Sequence, residues 1–273
     1  LFKRNCQTKQ ERSSLLITVS GLAKRLNPKL NRITKLKNLE QMLIEELNSH
    51  FAKPVLSAGV LRVLVACEES QAVTKELRKL GHEAFSCDLL PESGGHPEWH
   101  LQHDVTELLK LKWDMIIAFP PCTYLTNAGM CNLTRKGATD EYRANRLRLR
   151  DEAMEFAKMI YNNDCPLIAI ENPVGYLNTG WRKPDQIIKP YEYGHSVNKK
   201  TCLWLKGLPK LEPTNIVEPD MKKANLGKVV SSWYAETLKQ GKGNLKEVSK
   251  IRSKTFDGIA NAMAVQWSSY ACR

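Results

Sequence analysis

The sequence predicts an α/β fold in which helices cover both faces of a parallel sheet. Three apolar runs, Leu61–Ala66, Met115–Phe119 and Cys165–Ile170, each end in a polar or proline-containing turn, which is typical of buried parallel strands. Helical patterns separate these runs, as in βαβ units. The 273 residues are enough for one large domain with an appendage.

The opening of this sheet is predicted between residues 61 and 88. The first strand, Leu61–Ala66, is followed by a helix that stops at Gly81, and a second strand, Glu83–Cys87, leads to Asp88. An acidic residue about twenty positions after the first turn is typical of nucleotide-binding βαβ units. Its carboxylate can accept hydrogen bonds from both ribose hydroxyls.

A cysteine follows the run Met115–Phe119 after a double proline. Pro120 and Pro121 each fix φ and lack a backbone donor, so the chain leaves the sheet as a stiff, extended turn. Cys122 is therefore held just past the carboxyl edge, where open α/β sheets bind ligands. A cysteine in this position is a candidate nucleophile, because its thiolate is strongly nucleophilic.

The run Cys165–Ile170 leads into a carboxylate, an amide and a proline, Glu171, Asn172 and Pro173. A glutamate with apolar residues before it is placed to have a raised pKa. Such a group can hydrogen-bond or protonate a substrate ring. Together with Cys122, Glu171 predicts a two-residue catalytic site at one edge of the sheet.

The remaining elements follow from periodicity and composition. We expect a long helix at 140–162, a strand at 201–205 and an alanine-rich helix at 259–267. The polar, glycine-bearing segment 123–139 predicts a mobile loop. Residues 206–250 show no clear period, which predicts variable loops.

The charge of the chain favours a polyanionic partner. The net charge is +12 with a pI near 9.3, which favours nucleic acid over membrane. Residues 1–58 carry 11 Lys or Arg against 4 Asp or Glu. They predict a basic helical extension, ahead of a main domain at 59–273, that could grip a phosphate backbone, dock on that domain or mediate dimerisation.

Cysteine and histidine spacing bears on compartment and metal content. The eight cysteines form no CxxC pair and no secretory signal is visible, so we expect a reducing, cytoplasmic environment. His96, His100 and His103 do not predict a metal site, because no fourth ligand lies at a regular spacing.

The two strand-edge motifs resemble those of a known family. Pro120-Pro121-Cys122 resembles the nucleophile motif of the DNA cytosine-C5 methyltransferases, and Glu171-Asn172-Pro173 resembles their Glu-Asn-Val motif. The resemblance is closest to the small phage-type cytosine methylases and covers roughly residue 60 to the C-terminus. It implies a Rossmann-like S-adenosylmethionine-dependent methyltransferase sheet and a reduced target-recognition region at about 206–250. It also implies double-stranded DNA as substrate, with the target cytosine flipped out of the helix.

The resemblance also implies a role for individual residues. Cys122 and Glu171 would be catalytic. The implied substrate contacts are Pro121, Asn172, Lys200 and Thr201. The implied contacts with S-adenosylmethionine are Ala66, Cys67, Glu68, Ser70, Asp88, Asp104, Pro120 and Asn261.

Two departures from the larger family stand out. That family has a Phe-x-Gly-x-Gly turn after the first strand, whereas this chain has Ala66-Cys67-Glu68-Glu69-Ser70 with no glycine, as in the phage-type members. Here Glu68 would bond the cofactor's amino group, and Ser70 is a candidate helix cap. The family also has a Gln-x-Arg-x-Arg strand, where this chain offers lysines, which lack the bidentate fork of arginine.

Two alternatives stay open at the level of sequence. The substrate could be RNA or a free cytidine nucleotide, since a basic surplus does not choose between polymers. The chain could also be a catalytically silent DNA-binding relative whose altered turn has lost its ligand, although an intact Cys122 and Glu171 argue against this.

Overall fold

The structure, a computed structural model, describes residues 59–223 and 229–273, together with positions 41, 42, 45 and 49, which are helical. The extension predicted at residues 1–58 otherwise lies outside the described residues. The chain divides into two compact units, and the larger one comprises Ser57–Val105 and Trp113–Arg273. This larger unit holds both sheets and every candidate site residue.

Nine strands are present in the described residues. They are β1 Arg62–Ala66, β2 Glu83–Asp88, β3 His100–Gln102, β4 Met115–Ala118, β5 Leu167–Pro173, β6 Gln186–Ile188, β7 Thr201–Lys206, β8 Met221–Lys223 and β9 Val229–Ser231. The first seven form one sheet in the order β3-β2-β1-β4-β5-β7-β6, and β8 pairs with β9. In the large sheet only β7 runs antiparallel to its neighbours.

Eight α-helices are present in the same residues. They are α1 Ala72–Lys79, α2 Val105–Leu108, α3 Asn127–Cys131, α4 Asp140–Tyr161, α5 Trp233–Gln240, α6 Leu245–Ser253, α7 Asp257–Ala262 and α8 Ser268–Ala271. A π-helical turn, Met263–Trp267, joins α7 to α8, so the chain ends in one continuous helical rod. The predicted helices at 140–162 and 259–267 are confirmed within a few residues.

Helices cover both faces of the sheet. On one face, β1 and β4 contribute alternate apolar side chains to a core that includes α1 and the C-terminal rod. Ala169 of β5 belongs to this core, whereas its neighbours Ile168 and Ile170 point to the opposite face and are also fully buried. Helix α4 packs against β5. The predicted α/β fold is therefore confirmed as a mostly parallel seven-stranded sheet, consistent with a Rossmann-like arrangement.

The strand order reverses between β1 and β4. From β1 the chain builds outward to β2 and β3, then returns to place β4 on the other side of β1. The two strands pair in parallel from Val63 with Met115 to Ala66 with Ala118, so both end at the same edge. Ligands of open α/β sheets bind at such a switch point, outside the carboxyl ends of the strands.

Residues 206–250 contain more regular structure than the sequence predicts. Strands β8 and β9 and helices α5 and α6 all fall in or next to this segment. Thr237 is the buried residue of α5 and Val248 that of α6, so neither helix carries an apolar stripe that a periodicity search detects.

The segment 123–139 also differs from the predicted loop. It contains α3, which Thr126 caps by accepting a hydrogen bond from the backbone N–H of Gly129 (2.9 Å). Two arginines of α4 hold the segment: Arg146 donates to the Gly129 carbonyl (2.9 Å) and Arg143 to the Leu133 carbonyl (3.1 Å). The residues that follow Cys122 are thus fastened to α4.

Candidate active site

The turn after β4 places Cys122 beside the end of β1. The Phe119 N–H donates to the Ala66 carbonyl (2.9 Å) and so extends the β1–β4 pairing by one bond. Pro120 is buried, and Pro121 is exposed beside it. The Cys122 carbonyl accepts from the N–H groups of Leu125 and Thr126 (3.0 Å each), which closes a tight turn with the half-buried thiol at its start.

Asn172 at the end of β5 fixes this turn. Its side chain is 1% exposed, and its Nδ2 donates to the Pro120 carbonyl (2.8 Å). Its Oδ1 is buried and has no partner among the described residues. The structure therefore shows Asn172 as a clamp between the two strand-edge motifs, and its contact with substrate stays a prediction.

The neighbouring Glu171 is electrically coupled to Cys122. Burial raises the pKa of the Cys122 thiol, and the negative charge of Glu171 raises it further. Burial also raises the pKa of the Glu171 carboxyl. Lys199 opposes both effects, because its positive charge lowers the pKa of each group. The three side chains therefore form one electrostatic cluster of a thiol, a carboxyl group and a cation.

An open recess lies at two members of this cluster, Glu171 and Lys199. Its lining includes two residues at the start of β7 and its approach, Lys199 and Thr201, and a run of the C-terminal segment. The full lining is Glu171, Lys199, Thr201, Ser253, Lys254, Thr255, Phe256 and Ile259. Thr201 was predicted as a substrate contact, whereas the predicted Lys200 is exposed and outside this lining.

Lys199 was not among the predicted site residues. Its Nζ donates to the Arg252 carbonyl (2.9 Å), which fixes the side chain at the recess and ties the C-terminal segment to β7. Strand alternation offered a signal, because Lys199 and Thr201 are two residues apart and so share a side of an extended chain. Of the two neighbouring lysines, the structure brings Lys199 to Glu171.

We expect Asn172→Ala to destabilise the protein by about 1–2 kcal/mol, because the buried Pro120 carbonyl loses its donor. Asn172→Asp should cost more, since a carboxylate cannot donate to that carbonyl. Urea denaturation of the three proteins measures both effects. Equal stability of all three would show that the clamp does not hold the turn.

The carboxyl ends of β1 and β2 bring several predicted cofactor contacts together. Ala66 is fully buried at the end of β1, and Cys67 follows it in the left-handed region with φ 59°. Burial raises the pKa of the Cys67 thiol above its usual range, with further contributions from the carboxylates of Asp88 and Asp104. These two acids therefore lie near the first turn, as the sequence predicts.

Glu68 and Ser70 differ from their predicted roles. The buried Glu68 carboxylate accepts from the N–H groups of Val73 (2.7 Å) and Thr74 (3.3 Å) and from the Thr74 hydroxyl (2.7 Å), so Glu68 and not Ser70 caps α1. Burial raises the pKa of Glu68 to about 7, against these three hydrogen bonds, which lower it. Hydrogen bonds within the protein therefore use most of the acceptor capacity of the Glu68 carboxylate.

Asn261, another predicted cofactor contact, pairs with a residue of α1. It is exposed on α7, and its Nδ2 donates to Glu76 Oε2 of α1 (3.1 Å). The structure therefore places this residue at a helix–helix contact on the surface. The fit of a nucleoside at the β1–β2 edge depends on Asp88, whose Oδ1 accepts from the Leu90 N–H (2.9 Å) and whose carboxylate retains acceptor capacity for hydroxyl groups.

We expect Cys67→Val to destabilise the protein by about 1–2 kcal/mol more than Cys67→Gly. A β-branched side chain is strained at this positive φ, whereas glycine adopts it freely. Urea denaturation of both variants measures the difference. Equal stability would contradict a left-handed conformation at Cys67.

No protein-family model matches the chain, and no curated protein matches its sequence significantly. Within the described ranges, no group of three or more His, Cys, Asp or Glu side chains is arranged to hold a metal ion. No helix in those ranges is long and apolar enough to cross a membrane.

Proposed function

We propose that the chain is an S-adenosylmethionine-dependent DNA cytosine-5 methyltransferase that acts through a covalent adduct of Cys122. The observation that carries the proposal is the coupled cluster of Cys122, Glu171 and Lys199 at the ends of β4 and β5. Methylation of cytosine carbon 5 requires a thiolate that adds to the ring and an acidic group that hydrogen-bonds it. Glu171 has a raised pKa, and Lys199 lowers the pKa of Cys122 against the effects of burial and of Glu171.

The chemistry explains this requirement. Carbon 5 of cytosine is a poor nucleophile until another group adds to the ring. The Cys122 thiolate forms a bond to carbon 6, and the electrons of the 5,6 double bond become available at carbon 5. The raised pKa of Glu171 favours a protonated carboxyl group that hydrogen-bonds ring N3 and stabilises the negative charge that develops there.

The methyl donor would bind at the carboxyl ends of β1 and β2, next to β4. Asp88 would hold the ribose hydroxyls of S-adenosylmethionine, and Asp104 would lie by its adenine. When bound, S-adenosylmethionine supplies an electrophilic methyl group to carbon 5. Transfer of the carbon-5 proton to a solvent water then restores the double bond and expels the Cys122 thiolate, which returns the protein to its starting state.

The target base must leave the helix to reach a recess of this kind. Unstacking costs a few kcal/mol, which phosphate contacts and contacts within the recess offset. The net charge of +12 supports a polymeric nucleic acid as the partner that supplies such contacts.

A label-transfer assay tests the proposal. The full chain is incubated with S-adenosylmethionine carrying a tritiated methyl group and with duplex DNA of varied sequence, and the products are digested to nucleosides. We expect label in 5-methyldeoxycytidine. A duplex in which every cytosine already carries a 5-methyl group is the control and should take up none.

Parallel reactions with RNA and with deoxycytidine triphosphate distinguish the alternatives. Label in RNA or in the free nucleotide, with none in DNA, would replace the proposed substrate. No label in any of the three would contradict methyl transfer and would favour a catalytically silent relative.

A further inference from the structure

Helices α5 and α6, with the turn between them, form a fastened unit that we call the basic helical pair, residues 233–253. A Cβ added at Gly241 in the turn would lie 2.4 Å from a side-chain carbon of Val248, so the chain approaches itself closely there. Arg252 donates to the Thr237 hydroxyl (2.8 Å) and to the Tyr234 carbonyl (2.8 Å). The pair is therefore held by specific contacts within itself.

The charges of this pair are strongly one-sided. Residues 233–254 contain six Lys or Arg, namely Lys239, Lys242, Lys246, Lys250, Arg252 and Lys254, against Glu236 and Glu247. Arg252 is engaged inside the pair, whereas all five lysines are exposed. Four carry no ion pair with a described residue, and Lys254 reaches the Ser93 hydroxyl (3.5 Å).

One face of α6 carries a polar stripe, which comprises Lys246, Ser249, Lys250 and Ser253. These positions follow the i, i+3, i+4, i+7 spacing that aligns side chains on one side of a helix. Val248, which is 3% exposed, points away from the stripe into the pair. The stripe is about 10 Å long at the rise of an α-helix.

The stripe ends at the candidate active site. Ser253 and Lys254 line the recess together with Glu171 and Lys199. The Arg252 carbonyl next to them accepts the hydrogen bond from Lys199 Nζ (2.9 Å). A molecule that lies along the stripe would therefore reach the recess that contains Glu171.

The chemistry of the stripe selects its ligand. Exposed lysines alone are ordinary on a helix, but here the stripe itself carries no carboxylate. Ammonium and hydroxyl groups in a row are the donors that hold phosphate oxygens, and such contacts fix the register of a nucleic acid without reading its sequence. A duplex presents about one charge per 1.7 Å, so a row of about 10 Å meets several phosphates.

We infer that the α6 stripe, with Lys242 in the turn that precedes α6, binds the sugar-phosphate backbone of the nucleic acid whose target nucleotide enters the recess. The inference deepens the proposed function and rests on it for the identity of the target base. In this inference the contacts of α6 contribute to affinity and to the position of the nucleic acid. Recognition of its sequence would come from other residues.

Binding measurements at several salt concentrations test this inference. The full chain is titrated into a fluorescein-labelled DNA duplex without methyl donor, and anisotropy is recorded over a series of KCl concentrations. Lys246→Gln/Lys250→Gln should bind at least about tenfold more weakly at 0.1 M salt, and the slope of log affinity against log salt should fall by about two. Lys79→Gln/Lys183→Gln, which removes two exposed lysines outside the stripe, should bind like the wild type.

The conservative variant Lys246→Arg/Lys250→Arg should restore binding, which separates loss of charge from a folding defect. The same titration with an RNA duplex shows which polymer supplies the phosphates. Unchanged affinity and slope of the glutamine variant for both polymers would overturn the inference. The binding titration contains no methyl donor, so its result is independent of the label-transfer assay. Stripe-dependent binding together with no label transfer would support this inference and contradict the proposed function.

Discussion

From the proposed function, we expect Glu171→Gln to slow methyl transfer to cytosine by about 10²–10⁴-fold, the usual contribution of a positioned acid or base. Glutamine has nearly the same shape and its amide N–H can donate a hydrogen bond, but it cannot transfer a proton to the ring nitrogen. Burial raises the pKa of Glu171, so the native side chain can keep a proton that glutamine lacks. The single-turnover rate of label transfer at saturating DNA and donor measures this loss.

Glu212→Gln is the matched control for this substitution. Glu212 is exposed and outside the recess, so the same chemical change there should leave the rate unchanged. Thermal melting of both variants should match that of the wild type. A Glu171→Gln protein that keeps most of its transfer rate would show that the carboxyl group is not part of the chemistry.

Lys199→Met will lower the reactivity of Cys122 at neutral pH, on the order of tenfold. Lys199 lowers the pKa of Cys122, so removing its charge raises that pKa and reduces the thiolate fraction at a given pH. The alkaline rise in reactivity therefore moves to higher pH. Alkylation of Cys122 by iodoacetamide over a pH series, followed by peptide mass spectrometry, measures this shift without donor or DNA.

Lys200→Met provides an unusually close control, since Lys200 is adjacent in sequence but exposed outside the recess. Its pH profile should match the wild type, and Lys199→Arg should keep most of the native profile because it keeps the charge. Lys199 also donates to the Arg252 carbonyl, so a structural role alone would change melting and leave the Cys122 profile in place. That result would contradict the electrostatic role.

The sequence predicted the parts of the site that follow from strand ends. Apolar runs locate β1, β4 and β5, and residues directly after parallel strands must meet at one edge, so Cys122, Glu171 and Asp88 could be placed together without coordinates. The direction of each side chain was harder to predict than its position along the chain. Lys199 and Lys200 are equivalent in composition, and only the alternation with Thr201 distinguishes the lysine that faces the recess.

Local hydrogen bonding explains the remaining differences. The sequence predicts that Glu68 faces a ligand, but its carboxylate accepts three hydrogen bonds from the start of α1. The left-handed conformation of Cys67 directs Glu68 towards that helix. Helices α5 and α6 each bury too few side chains for a helical period of apolar residues to be visible in the sequence. Arg252 and Gly241 hold them through contacts that depend on the folded chain.

Covalent trapping tests the central proposal most directly. A DNA duplex mixture carrying 5-fluorocytosine is incubated with the full chain and S-adenosylmethionine, then separated on a denaturing gel. Fluorine cannot leave as a proton does, so the adduct should persist for the wild type and for Cys131→Ala, a control at an exposed cysteine, and should be absent for Cys122→Ala. An adduct that survives in Cys122→Ala, or none with the wild type, would contradict Cys122 as the nucleophile of a cytosine methyltransferase.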